Sequence, residues 1–186
     1  EAVGLFAEAL ARLPETDMAI ERAAAHRLLG NAQRESSRAE PEAVSMETAL
    51  AHYRASLSEV PALKHPHARA ATLTEMGNAY LVLSGQGYRA RSLVHAVEAF
   101  EKAARLYDID SVPRLHAQAQ LRIGDTYTLL AALGPSSRSD RAAQQQRAMR
   151  YESKAKKAYK VAQAFGLMPA WATSEEPAGA IVEDDK

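Results

Sequence analysis

The chain has no cysteine. Disulfides, cysteine-based zinc and iron–sulfur sites and a cysteine nucleophile are therefore excluded, and the composition fits the cytoplasm. It has no excess of either charge, with 23 Lys and Arg against 23 Asp and Glu. A nucleic-acid partner is not expected, because phosphate binding draws on a basic surplus. No apolar run reaches the ~18 residues of a membrane helix, so no membrane span is expected. Nine glycines and eight prolines are few for 186 residues, and about a fifth of the residues are Ala. That balance favours helices. No nucleophile elbow, phosphate loop or paired-carboxylate motif occurs, so no enzymatic activity and no cofactor are expected. Gly85-Gln86-Gly87 is too short for a phosphate loop and reads as a turn. The six histidines include a loop pair, His65 and His67. The other four, His26, His52, His95 and His116, share no i, i+4 spacing, so no metal site is expected. With Glu at position 1, the chain is expected to be a fragment or a processed product.

What the sequence does contain is a repeat. Leu28-Leu29-Gly30-Asn31-Ala32-Gln33 returns as Glu75-Met76-Gly77-Asn78-Ala79-Tyr80 and again as Arg122-Ile123-Gly124-Asp125-Thr126-Tyr127. The glycines stand 47 residues apart both times. A second block, Ala2, Phe6 and Ala9, maps at the same step onto Ala49, Tyr53 and Ser56, then onto Ala96, Phe100 and Ala103. It recurs as Ala155, Tyr159 and Ala162 after a step of 59. The twelve extra residues fall in or near 134–146. Self-similarity at such a period is the mark of stacked supersecondary units.

Each unit holds two helical patterns. Ala70, Leu73, Met76, Gly77, Tyr80 and Leu83 recur at steps of three and four, as do Ala96, Phe100, Ala103, Ala104 and Tyr107. No stretch alternates as a strand does. The expected helices are 2–13, 18–35, 42–60, 67–84, 89–108, 113–133 and 140–166. One domain covers 1–167, and 168–186 reads as a disordered acidic tail. A glycine inside a helix costs ~1 kcal/mol relative to Ala, so its return at one phase implies a packing reason. Gly30, Gly77 and Gly124 are expected where two helices cross closely, with Tyr53, Phe100 and Tyr159 filling the space.

Met76-Gly77-Asn78-Ala79-Tyr80 with Ala96, Phe100 and Ala103 resembles the tetratricopeptide repeat, and Ala9 with Pro14 and Ser56 with Pro61 supply its closing proline. The resemblance covers about residues 2–167. The common repeat is about 34 residues long, so the 47-residue step is a departure. The long form, with Pro66 and Pro113 eleven residues before the glycine, is similar to repeats found beside caspase-like CHAT domains or nucleotide-binding signalling domains in bacteria. The resemblance implies an all-α, right-handed solenoid of antiparallel helix pairs, about seven helices in all. It implies a protein-interaction scaffold, the sensing or recruiting arm of a larger protein. The first helix of each pair would line a groove for a peptide or protein partner. By phase the groove residues are Arg27, Asn31 and Arg34, then Ala71, Glu75, Asn78 and Val82, then Gln118, Arg122, Asp125 and Leu129.

Three further readings accompany this one. A chaperone-type carboxylate clamp is supported by Arg27, Asn31 and Arg122 and opposed by Gln118 and by the acid Glu75, which repels a carboxylate. Val3, Phe6 and Leu10 are expected to be exposed on one side for want of a preceding partner helix, so either the chain is cut from a longer array or the first helix is a surface for a homo-oligomer. The last helix carries a basic stripe of Arg147, Arg150, Lys154 and Lys157. It reads as the solvated face of a capping helix or, less simply, as a surface for an acidic partner, RNA or lipid headgroups. Residues 172–186 hold five acids against one Lys and are able to reach that stripe.

Overall fold

A computed structural model of the chain describes residues 2–14, 18–39, 43–61, 64–87, 89–134 and 141–169. The described residues form seven helices and no strand: α1 (Ala2–Arg12), α2 (Ala19–Ala39), α3 (Ala43–Glu59), α4 (Pro66–Gly85), α5 (Arg89–Leu106), α6 (Pro113–Ala131) and α7 (Arg141–Ala164). Pro66 and Pro113 open α4 and α6, where a missing N–H breaks no helical bond and the fixed φ suits the first turn. The acidic tail lies outside the described residues, apart from Met168 and Pro169.

Helices adjacent in sequence pack against one another, most extensively α2 on α3, α4 on α5 and α6 on α7. The α2–α3 pair runs antiparallel. Going up α2, Arg22, Ala23, His26 and Gly30 meet Glu59, Ser56, His52 and Tyr53. In α6–α7 the same reversal joins Gly124 to Tyr159 and Leu133 to Gln144.

The repeated glycines sit against aromatic rings. A Cβ built on Gly30 would lie 2.5 Å from Tyr53 Cε1, one on Gly77 2.6 Å from Phe100 Cε1, and one on Gly124 2.5 Å from Tyr159 Cε1. These separations are shorter than van der Waals contact, so each ring occupies the volume that any other residue's side chain would need. Ala at the flanking positions lets the backbones close further, and Ala49, Ala96 and Ala103 are fully buried. Ser56 stands where Ala103 stands one unit later. Its buried hydroxyl donates to the Ala23 carbonyl at 2.8 Å and meets the Thr72 hydroxyl at 2.9 Å, joining α2, α3 and α4.

The larger apolar cluster spans α4 to α7 and includes Leu73, Leu93, Phe100, Tyr107, Ile123, Tyr127 and Tyr159. A smaller one gathers Met46, Leu50, Tyr53, Ala79 and Leu83. By contrast, α1 has no buried residue, and Leu5 is 67% exposed. Ala2 and Ala9 are exposed although their equivalents in α3 and α5 are sealed. The difference follows from packing, since among the described residues the one extensive contact of α1 is with α2.

Candidate functional site, a groove between α4 and α6

One turn of helix takes 3.6 residues, so side chains three or four apart share a face. On α4 that face carries Ala71, Thr74, Glu75 and Asn78; on α6 it carries Leu115, Gln118, Arg122 and Asp125. These residues line an open groove of about 620 Å³, together with Tyr107, Leu167 and Met168. The last two arrive by a local device. Gly166 takes φ +73, a left-handed value that favours glycine. The N–H of Leu167 then reaches back to the Ala162 carbonyl at 3.1 Å and closes α7. The chain turns there, Leu167 and Met168 reach the groove, and Pro169 is buried.

Hydrogen bonds already commit several of the polar groups. Arg34 on α2 meets Glu75 at 3.0 Å and Glu35 at 3.3 Å. The pair neutralises the acid that opposes a carboxylate ligand. The residue after each repeated glycine depends on its aromatic partner. Tyr53 donates its hydroxyl to Asn31 Oδ1 at 2.9 Å, and Tyr159 donates to Asp125 Oδ1 at 3.0 Å. The middle unit has Phe100, which has no hydroxyl, and Asn78 instead donates to Glu75 Oε2 at 3.4 Å. That long bond leaves Asn78 the least constrained of the three. Burial raises the Asp125 pKa, against the Tyr159 hydrogen bond and the Arg122 charge. Burial likewise raises the pKa of Tyr107, which lines the groove.

Of the residues chosen by repeat phase, Ala71, Glu75, Asn78, Gln118, Arg122 and Asp125 come together in the groove, and Arg34 joins through Glu75. Arg27, Asn31, Val82 and Leu129 do not line it. Thr74, Tyr107, Leu115, Leu167 and Met168 were not picked out by sequence. Thr74 and Leu115 lie on the same helix faces and were accessible to a wider phase window. Leu167 and Met168 carry no periodic mark, because they follow the last helix.

The basic stripe of α7 divides. Lys154 donates to the Tyr127 hydroxyl at 3.0 Å and lies 4.9 Å from the centre of that ring. Tyr127 in turn donates to Glu101 at 2.7 Å. Arg147, Arg150 and Lys157 are exposed and make no ion pair among the described residues.

A histidine pair joins α2 to α3. His26 Nδ1 and His52 Nδ1 stand 3.3 Å apart, so one ring donates to the other and at least one imidazole is neutral. Arg22 donates through two nitrogens to Glu59 Oε1 beside them, each at 3.1 Å. Both histidine pKa values are lowered from 6.5. For His26 the causes are burial, then His52 and Arg22, against Glu59; for His52 the cause is burial. Well above 6.5 the folded and unfolded chains are both neutral at these sites. As pH falls through 6.5 the unfolded chain takes up protons that the folded chain resists, so stability is expected to drop. Urea unfolding at about pH 7.5 and about pH 5 measures the drop. His26→Gln with His52→Gln is expected to flatten it, and an unflattened pH slope would rule the pair out as its source.

Among the described residues no group of three or more His, Asp or Glu side chains is placed to hold a metal ion, and no helix is long and apolar enough to cross a membrane. No known protein family, curated protein or solved structure matches the chain.

Proposed function

We propose that the chain is a non-enzymatic, tetratricopeptide-like interaction arm, a cytoplasmic right-handed solenoid that holds a peptide or protein partner in the groove between α4 and α6. The observation that carries this reading is the convergence of equivalent faces of α4 and α6 on an open groove that combines polar side chains with the apolar Tyr107, Leu115, Leu167 and Met168. Its donors suit a polypeptide. Asn78 and Gln118 offer amide groups that match a peptide backbone, and Arg122 offers a planar fork for an acceptor. Its apolar lining accepts a side chain of the partner as an anchor.

Selection from a random peptide library on the intact chain, followed by titration of the winners, tests the proposal. Asn78→Ala with Arg122→Ala is expected to weaken the selected peptides by about tenfold or more. Amide shifts on binding are expected at 75–78 and 118–125. Winners that bind the double variant unchanged would move the binding site elsewhere.

A further inference from the structure

The sides of α4 and α6 turned away from the groove have a surface of their own. Leu73 and Met76 of α4 lie about half a turn from Glu75 and Asn78, and Gln120 and Ile123 of α6 lie about half a turn from Gln118 and Arg122. Leu73 and Met76, with Leu57 of α3 and Leu106 of α5, line a furrow of about 410 Å³, rimmed by Arg69, Lys102 and Arg105. Gln120 and Ile123, with Ala104 of α5 and Ala158 and Val161 of α7, line a second of about 460 Å³, whose charged residues are Arg105, Lys154 and Lys157 and the single acid Glu101. The second furrow repeats the first. Leu57, Arg69, Leu73 and Met76 move by the 47-residue step onto Ala104, His116, Gln120 and Ile123. Arg105 lines both.

Charge separates the two sides of the molecule. In the groove, Arg34 and Glu75 compensate each other. Around the furrows, Arg69 is held by the Leu57 and Val60 carbonyls at 2.7 and 3.1 Å, and Lys154 by Tyr127. Glu101, which lines the second furrow, accepts the Tyr127 hydroxyl, and Glu98 lies 3.7 Å from His95, an ion pair only where that ring is protonated. Lys102, Arg105 and Lys157 remain exposed, with no ion pair among the described residues. Five cations, Arg69, Lys102, Arg105, Lys154 and Lys157, thus stand against one acid, Glu101, around two apolar floors.

We propose that these two furrows are a second docking surface, which takes an acidic, amphipathic segment of a partner protein: its apolar side chains sit on the two floors and its carboxylates meet Lys102, Arg105 and Lys157. Carboxylates find bidentate donors in Arg105. Apolar floors reward Leu-like side chains and do nothing for a phosphate backbone. The one large ring there, Tyr127, is stacked on Tyr151 and covered by Lys154, so it offers no open platform to a nucleobase. Because the surface differs from the groove in every lining residue except the helices that carry them, its success or failure leaves the groove reading untouched.

Fluorescence anisotropy on the full chain tests the proposal with two labelled probes, one peptide alternating Glu and Leu and one alternating Glu and Ser. The Glu–Leu probe is expected to bind about tenfold tighter than the Glu–Ser probe and to weaken as salt rises. Arg105→Glu with Lys157→Glu is expected to abolish binding while leaving the melting curve in place, since both side chains are exposed. Asn78→Ala with Arg122→Ala is expected to leave it unchanged. Equal binding of the two probes, survival of binding in the charge-reversed variant, or complete competition by single-stranded polyuridine would overturn the proposal.

Discussion

Phe100→Ala is expected to lower the unfolding free energy by about 3–5 kcal/mol, as loss of a fully enclosed aromatic ring does. The melting temperature should fall by roughly 10 °C for a chain of this size. Phe100 has no exposed surface and belongs to the cluster that joins α4 through α7. Its ring lies over Gly77, so the partner has no side chain with which to fill the void, and relaxation is restricted to backbone movement. The repeat supplies the control. Phe6 occupies the equivalent place in α1, where it is only half-buried and its neighbours Ala2 and Ala9 are exposed. Phe6→Ala should therefore cost less than about 1 kcal/mol. Urea midpoints at unchanged slope measure both variants. Equal losses at the two sites would contradict the packing described for Phe100.

Gly77→Ala is expected to destabilise by about 1–3 kcal/mol, the reverse of its usual effect. In an open helix the same change gains up to ~1 kcal/mol. Here the new methyl group would stand 2.6, 2.7 and 2.9 Å from three atoms of the Phe100 ring. Neither partner has room to yield, because the ring is enclosed on all sides. A double-mutant cycle isolates the contact. In the Phe100→Ala background the methyl group enters vacant space, so Gly77→Ala should regain its favourable sign. Gly85, with nothing within 4 Å of its would-be Cβ, provides a site where Ala meets no clash. A stabilising Gly77→Ala in the otherwise unaltered chain would sink the close-crossing account. Gly30 under Tyr53 and Gly124 under Tyr159 should behave as Gly77 does.

Much of this was legible from spacing alone. The seven helices follow from apolar residues at steps of three and four, and their ends match within a few residues because Pro66, Pro113 and the glycine turns mark them. The glycine–aromatic contacts were legible because a disfavoured residue returned at one phase three times. Glu75, Asn78, Gln118, Arg122 and Asp125 were legible as one side of two helices. Other features left no periodic trace. His26 and His52 are 26 residues apart on different helices, and only the antiparallel register of α2 and α3 brings them together. Arg34 and Glu75 belong to different units. Asn31, Asn78 and Asp125 look alike in the repeat, yet a single hydroxyl, present on Tyr53 and Tyr159 and missing from Phe100, decides which is held.

The sequence by itself determined the helices, their pairing order and the small residues at their crossings, since all three depend on neighbours one or two turns away or on a period that repeats. Only the tertiary structure decided which charges are compensated and which are left over. A formal charge of zero does not distinguish Arg34, paired across helices, from Arg105, which faces solvent. Coulomb interactions fall with distance through space, and the chain order does not encode distances between helices. For the same reason the turn at Gly166, which brings Leu167 and Met168 back to the groove, is visible only once α6 and α7 are in place.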